Sequence, residues 1–183
     1  MSSGHPLDLG RGREPWVVFA RQDADVVDAA LRAFAAGGGR IHRFRATDLH
    51  DEQAVHREFA ARLAFPGYFG HNWDAVVDCL GDLCTVATDG IGITGVVDRA
   101  DALVDTPFLR VLVSVLCQGA ARANAETDLD GDPLDRPAHA QHWLFLLDDH
   151  PTASLAARLD HPDLLLDLSD TLLTVTLNPE VWA

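Results

Sequence analysis

The chain has 183 residues, 48% of them hydrophobic and 23% charged, enough for a globular domain with a core of its own. Its net charge of −14, from 28 acidic residues against 14 arginines and no lysine, disfavours nucleic acid as a direct ligand and favours a basic partner. Cys79, Cys84 and Cys117 fit neither a disulfide framework nor a zinc site, no apolar run approaches the roughly 20 residues of a membrane span, and the opening MSSGHPLDLGRGREP lacks the apolar stretch of a signal peptide; buried thiols and a cytoplasmic location are expected.

Residues 1–14 read as a flexible lead-in. Trp16 to Ala20 (WVVFA) is a short β-branched and aromatic run, expected as a buried strand. Asp23 then offers a cap for a helix with Val27, Leu31 and Phe34 on one stripe, closed by Gly37, Gly38 and Gly39. Ile41 to Arg45 (IHRFR) reads as a half-exposed strand, with Ile41, Arg43 and Arg45 on one side and His42 and Phe44 on the other. From Asp51 to Leu63 the four-residue repeat of Val55, Phe59 and Leu63 predicts an amphipathic helix stopped by Pro66 and Gly67.

A helix over Trp73 to Cys84 follows, capped by Asn72 and apolar along Trp73, Val76, Val77, Leu80 and Leu83. Ile91 to Val97 is the next strand. Thr106 and Pro107 predict an N-cap and first helical position for an apolar helix from Phe108 to Cys117. The stretch 123–140, with Gly131, Pro133 and Pro137, is expected as a mobile polar loop before a strand at Trp143 to Leu147. Beyond Pro151, Leu155 to Leu159 reads as helical and Leu172 to Leu177 as strand-like, so the tail either adds an edge strand or wraps the domain. Strands alternating with helices at this spacing predict an α/β fold with a mainly parallel sheet. The organisation is a domain over 15–150 with a C-terminal extension over 151–183.

Chemistry concentrates between Phe65 and Leu83. Asp74, Asp78 and Asp82 fall at i, i+4 and i+8, three like charges along one helix face, and each such pair destabilises a helix by roughly 0.2–0.5 kcal/mol. A generic solvated face, or for Asp74 a first-turn carboxylate on the helix dipole, would account for parts of this pattern. The whole string Tyr68-Phe69-Gly70-His71-Asn72-Trp73-Asp74-Ala75-Val76-Val77-Asp78-Cys79-Leu80 resembles the signature of the barstar family of intracellular ribonuclease inhibitors: two aromatics, Gly, any residue, Asn, any residue, Asp, three residues, Asp-Cys-Leu. The resemblance extends over approximately Arg40 to Asp149, leaving the first β-α unit and the tail as additions to a barstar-like α/β core with a mainly parallel sheet flanked by helices.

The resemblance implies a protein that is not an enzyme, needs no cofactor or metal, and binds a basic ribonuclease or nuclease toxin, 1:1, through Tyr68, Gly70, His71, Asn72, Trp73, Asp74, Val77, Asp78 and Asp82. Asp78 would be the central anchor, taking the place of a substrate phosphate among the enzyme's cations. The sequence departs from the best-known member at His71, where an acidic residue is found, at Val77, where an aromatic is found, and near Gly119 to Ala123, where a further contact carboxylate has no counterpart. Two alternatives stand beside this reading: an immunity or regulatory protein for a non-ribonuclease partner, and a metal-dependent hydrolase using His71, Asp74 and Asp78. The acidic string Asp128-Leu129-Asp130-Gly131-Asp132 does not match a calcium loop, because its Gly falls two places early and His139 stands at the twelfth position.

Overall fold

A computed structural model of the chain describes residues 7–83, 91–128, 130–135 and 137–182. Six strands form one sheet: β1 (Val17–Arg21), β2 (Arg40–Arg45), β3 (Gly92–Asp98), β4 (Ala140–Leu147), β5 (Leu164–Leu168) and β6 (Leu172–Leu177), in the order β2-β3-β4-β1-β6-β5. β2, β3, β4 and β1 run parallel, β6 pairs antiparallel with β1, and β5 antiparallel with β6. The fold is the expected α/β class. The tail does more than add one edge: β5 and β6 extend the sheet by two strands, which places β1 in its interior between β4 and β6.

Side chains alternating across the strands sort into two cores. Val18, Ala20, Val96, Leu144 and Leu146 meet helix α1 (Asp25–Ala36) through Val27, Leu31 and Phe34. Val17, Phe19, Phe44, Trp143 and Phe145 face the opposite side, under α2 (Glu52–Arg62), α3 (Trp73–Gly81), α4 (Leu109–Asn124) and α5 (Thr152–Leu159). β4 is buried along its whole length, as a parallel strand covered on both faces requires. Trp143 is the hub of the larger core, with the Phe59 ring stacked 5.3 Å from it at an interplanar angle of 6°. A last short helix, α6 (Pro179–Trp182), closes the chain.

Several local expectations are revised by the hydrogen bonds. Residues 7–14 lie against the sheet, with Leu9 buried and the carbonyls of Arg11 and Pro15 2.8 and 2.9 Å from the two ring nitrogens of His142. α1 starts after Ala24 with no side-chain cap, because the Asp23 carboxylate turns to Arg21 instead, 3.3 Å away. Thr106 does not cap α4: its hydroxyl donates to the Leu103 carbonyl at 2.7 Å, closing the preceding turn, and the helix begins at Leu109 and runs on to Asn124. α2 is stopped before Pro66, by Ala64 in the left-handed region (φ 52°), where the Phe65 N–H returns to the Ala60 carbonyl at 3.0 Å.

Candidate functional site

A nine-residue helix is too short to hold itself together in water, so α3 exists because of what packs beneath it and what closes its ends. Asn72 caps its start, the side-chain oxygen accepting the Ala75 N–H at 2.8 Å. Val76 and Leu80 are fully buried, and burying two such side chains contributes about 3–6 kcal/mol, which outweighs the like-charge repulsion along the outer face. At its other end the Leu80 carbonyl accepts the side-chain N–H of buried Gln141 on β4, at 3.0 Å. Gly119 lets α4 approach closely: a Cβ there would lie 2.6 Å from the Leu80 Cβ.

This support turns one face outward. Tyr68, Gly70, His71, Asn72, Asp74, Asp78 and Asp82 are exposed, Trp73 and Val77 half-buried, and Tyr68 at 85% exposure projects from the loop ahead of the helix. All nine predicted residues therefore lie on one run of loop and helix surface. Phe69 does the opposite and enters the core. Behind the loop sits His56, 6% exposed, its ring edge-on to Trp73 at 4.7 Å and to Phe69 at 6.2 Å, with Nε2 lacking a hydrogen-bond partner. Burial lowers its pKa, with the nearby Glu52 charge and a bond to the His71 backbone acting against that and the His71 charge reinforcing it. His71 itself holds a left-handed backbone (φ 52°), uncommon for a residue with a side chain, and its ring lies 4.7 Å from that of Phe69.

The carboxylates differ in their surroundings. Asp74 sits in the first turn, where the helix dipole favours it. Asp82 is the C-cap residue rather than a member of the helix, so the row of three on one helix is a pair followed by a cap. Asp78 has an opposing charge that the sequence reading missed: Arg122, in the last turn of α4, places Nη1 2.5 Å from Oδ1. A lone arginine at the end of an apolar helix gives no signal by itself, and Gln141 gives none either. The signal that was present is the pair Gly81 and Gly119, small residues in two consecutive helices that mark a close crossing.

Cys79 and Cys117 are buried free thiols; burial pushes both thiol pKa values up, helped at Cys79 by Asp78 and Asp82, so neither is a nucleophile. Cys84 lies outside the described residues. Among the described residues no group of three His, Cys, Asp or Glu is arranged to hold a metal ion, so His71, Asp74 and Asp78 share a surface without forming a metal centre. No helix among the described residues is long and apolar enough to cross a membrane. In the acidic loop, Asp128 Oδ1 accepts the N–H groups of Asp130 and Asp132, each at 2.9 Å, making a self-contained turn.

Residues 39–129 match the family model described as Barstar (barnase inhibitor). The matched segment contains β2, α2, the signature loop, α3, β3 and α4, and ends before β4. No curated protein and no solved structure matches the chain. With the signature in register on an exposed helix, and the family match running through α2, α3 and the α4 that packs against it, the chain belongs to the barstar family.

Proposed function

We propose that this chain is a cytoplasmic inhibitor of a basic ribonuclease, binding 1:1 and closing the enzyme's active site with the exposed face of α3; it is not itself a catalyst. The observation that carries this reading is the joint exposure of Tyr68, Gly70, His71, Asn72, Asp74, Asp78 and Asp82 on a helix fixed from behind by Gln141 and the α4 contact. A ribonuclease must gather cations where substrate phosphates sit. A carboxylate held on a rigid support can accept their charge-assisted hydrogen bonds and offers no bond to cleave. Because the face is already ordered, little conformational entropy is lost on docking. Tyr68 supplies the projecting aromatic that interfaces commonly use as an anchor, and the net charge of −14 steers a basic partner towards the chain.

Arg122 stands in the stretch Gly119 to Ala123, where the family's best-known member has a further contact carboxylate; a cation there favours a target whose site differs from that member's, and an immunity role against another nuclease uses the same face and the same physics. The reading is tested by titrating the chain against a panel of basic ribonucleases that includes barnase, with the Asp78→Ala variant in parallel. Stoichiometric inhibition of at least one enzyme, lost in the variant while its thermal unfolding is unchanged, supports it. Inhibition of none, or equal inhibition by both proteins, overturns it.

A further inference from the structure

The anchor carboxylate is already occupied in the free protein. Arg122 reaches Asp78 from the neighbouring helix at 2.5 Å, and its stem crosses Gly81 so closely that a Cβ at that position would lie 2.6, 2.7 and 2.9 Å from its Cδ, Cγ and Nε. A side chain at position 81 would thus push the arginine away; glycine keeps its path open. That provision goes beyond a cation resting on the C-terminal dipole of α4, which would need no groove. The Asp78 and Arg122 side chains are 63% and 48% exposed, so an incoming partner can reach both. An ion pair this exposed is weak enough to exchange.

We propose that Arg122 is a specificity-determining residue of this surface: an internal stand-in for the target's cation, which holds Asp78 until a guanidinium from the target displaces it. The proposal rests on the reading of α3 as the target surface. It makes binding at Asp78 an exchange of one cation for another, so a target whose cation pairs with the carboxylate no better than Arg122 gains nothing there. A planar guanidinium able to bind the carboxylate in bidentate fashion meets that demand, and a lysine ammonium does not. It also places a positive charge on an otherwise acidic face, which slows the approach of a uniformly basic cleft.

Two substitutions release Asp78 by different routes. Arg122→Met keeps the aliphatic stem and removes the charge. Gly81→Ala keeps the charge and displaces the side chain through the contacts above. The test uses the full chain, labelled with nitrogen-15, titrated at low ionic strength with a hexa-arginine peptide while the Arg122 Nε–H signal and the α3 amides are followed by NMR. On addition of peptide, the Arg122 signal of the wild type moves to the position it takes in Asp78→Asn. Both Asp78-releasing variants bind the peptide at α3 more tightly, Gly81→Ala by up to about fivefold, the equilibrium equivalent of an exposed ion pair of about 1 kcal/mol. Peptide binding at α3 with the Arg122 signal unmoved, binding by the variants that is no tighter than wild type, or no response of α3 to the peptide would each overturn the proposal. The ribonuclease panel fails or succeeds separately: a chain that inhibits an enzyme while Arg122 stays on Asp78 loses only this proposal, and one that shows the exchange but inhibits nothing loses only the ribonuclease.

Discussion

Replacing Gln141 with Leu removes the tether that fixes the C-terminal end of α3 without opening a cavity. Gln141 is fully buried; its amide donates to the Leu80 carbonyl at 3.0 Å and its oxygen accepts the Trp143 Nε1–H at 3.4 Å. Leucine fills nearly the same volume but strands both partners. A buried carbonyl left without a donor costs about 1–3 kcal/mol. The indole bond is long and adds less, and exchanging an amide for an apolar side chain returns part of the loss. The expected net destabilisation is about 2 kcal/mol, which for a chain of this size lowers the melting temperature by roughly 4–8 °C. Urea unfolding at constant m-value gives the free energy, and native-state hydrogen exchange locates it: the amides of α3 should lose more protection than those of α1, on the opposite face of the sheet. A Gln141→Leu protein within about 0.5 kcal/mol of wild type and with α3 exchange unchanged would refute the tether.

His56 makes stability fall in mild acid. Its folded pKa is lowered by burial, so below the ordinary histidine value near 6.5 the unfolded chain binds the proton more readily; stability from this group is full above that pH and declines as pH drops through it towards the folded value. Comparing unfolding at pH 7.5 and 5.0 in wild type and His56→Leu checks this, since the variant should lose part of the pH dependence, and an equal dependence in both would reassign it. Asp101 acts at lower pH: burial alone would push its carboxyl up, yet N–H groups of His150, Asp148 and Asp149 and the His150 ring, at 2.6–3.0 Å, hold it well below the usual carboxylate range. Its contribution is therefore full above about pH 4 and is lost only gradually as pH falls through the carboxylate range towards the folded value, and Asp101→Asn should destabilise the protein by about 1.5–3 kcal/mol at pH 7 and by somewhat less at pH 3, as read from chemical unfolding at the two values.

Elements whose periodicity is written into adjacent residues were legible before the fold was known. α2 and α3 are examples, with Asp51 and Asn72 accepting the N–H groups of Ala54 and Ala75 as caps do. Motifs with two possible local partners were not: Thr106 could cap forwards or close the turn behind it, and the Leu103 carbonyl won. The strand order was hidden because β1 meets β4 and β6 across 120 residues or more, a relation no local pattern encodes. The same holds for the site. Its exposed face could be read from the signature, since those residues are neighbours in sequence, whereas Gln141 and Arg122 lie 61 and 44 residues from the groups they bind. The electrostatic cost assigned to a row of three carboxylates was overstated for the same reason: Arg122 opposes the middle one and Asp82 stands at the cap.

The surface proposed to meet a basic ribonuclease is the α3 face, with Asp78 at its centre. The most direct measurement is an inhibition titration of the ribonuclease panel with wild type and Asp78→Ala, each first shown to unfold at the same temperature. Loss of a charge pair buried on docking should weaken inhibition at least about thirtyfold, mainly through faster dissociation. Equal inhibition by the two proteins would place the enzyme's contact away from Asp78 and overturn this assignment of the surface.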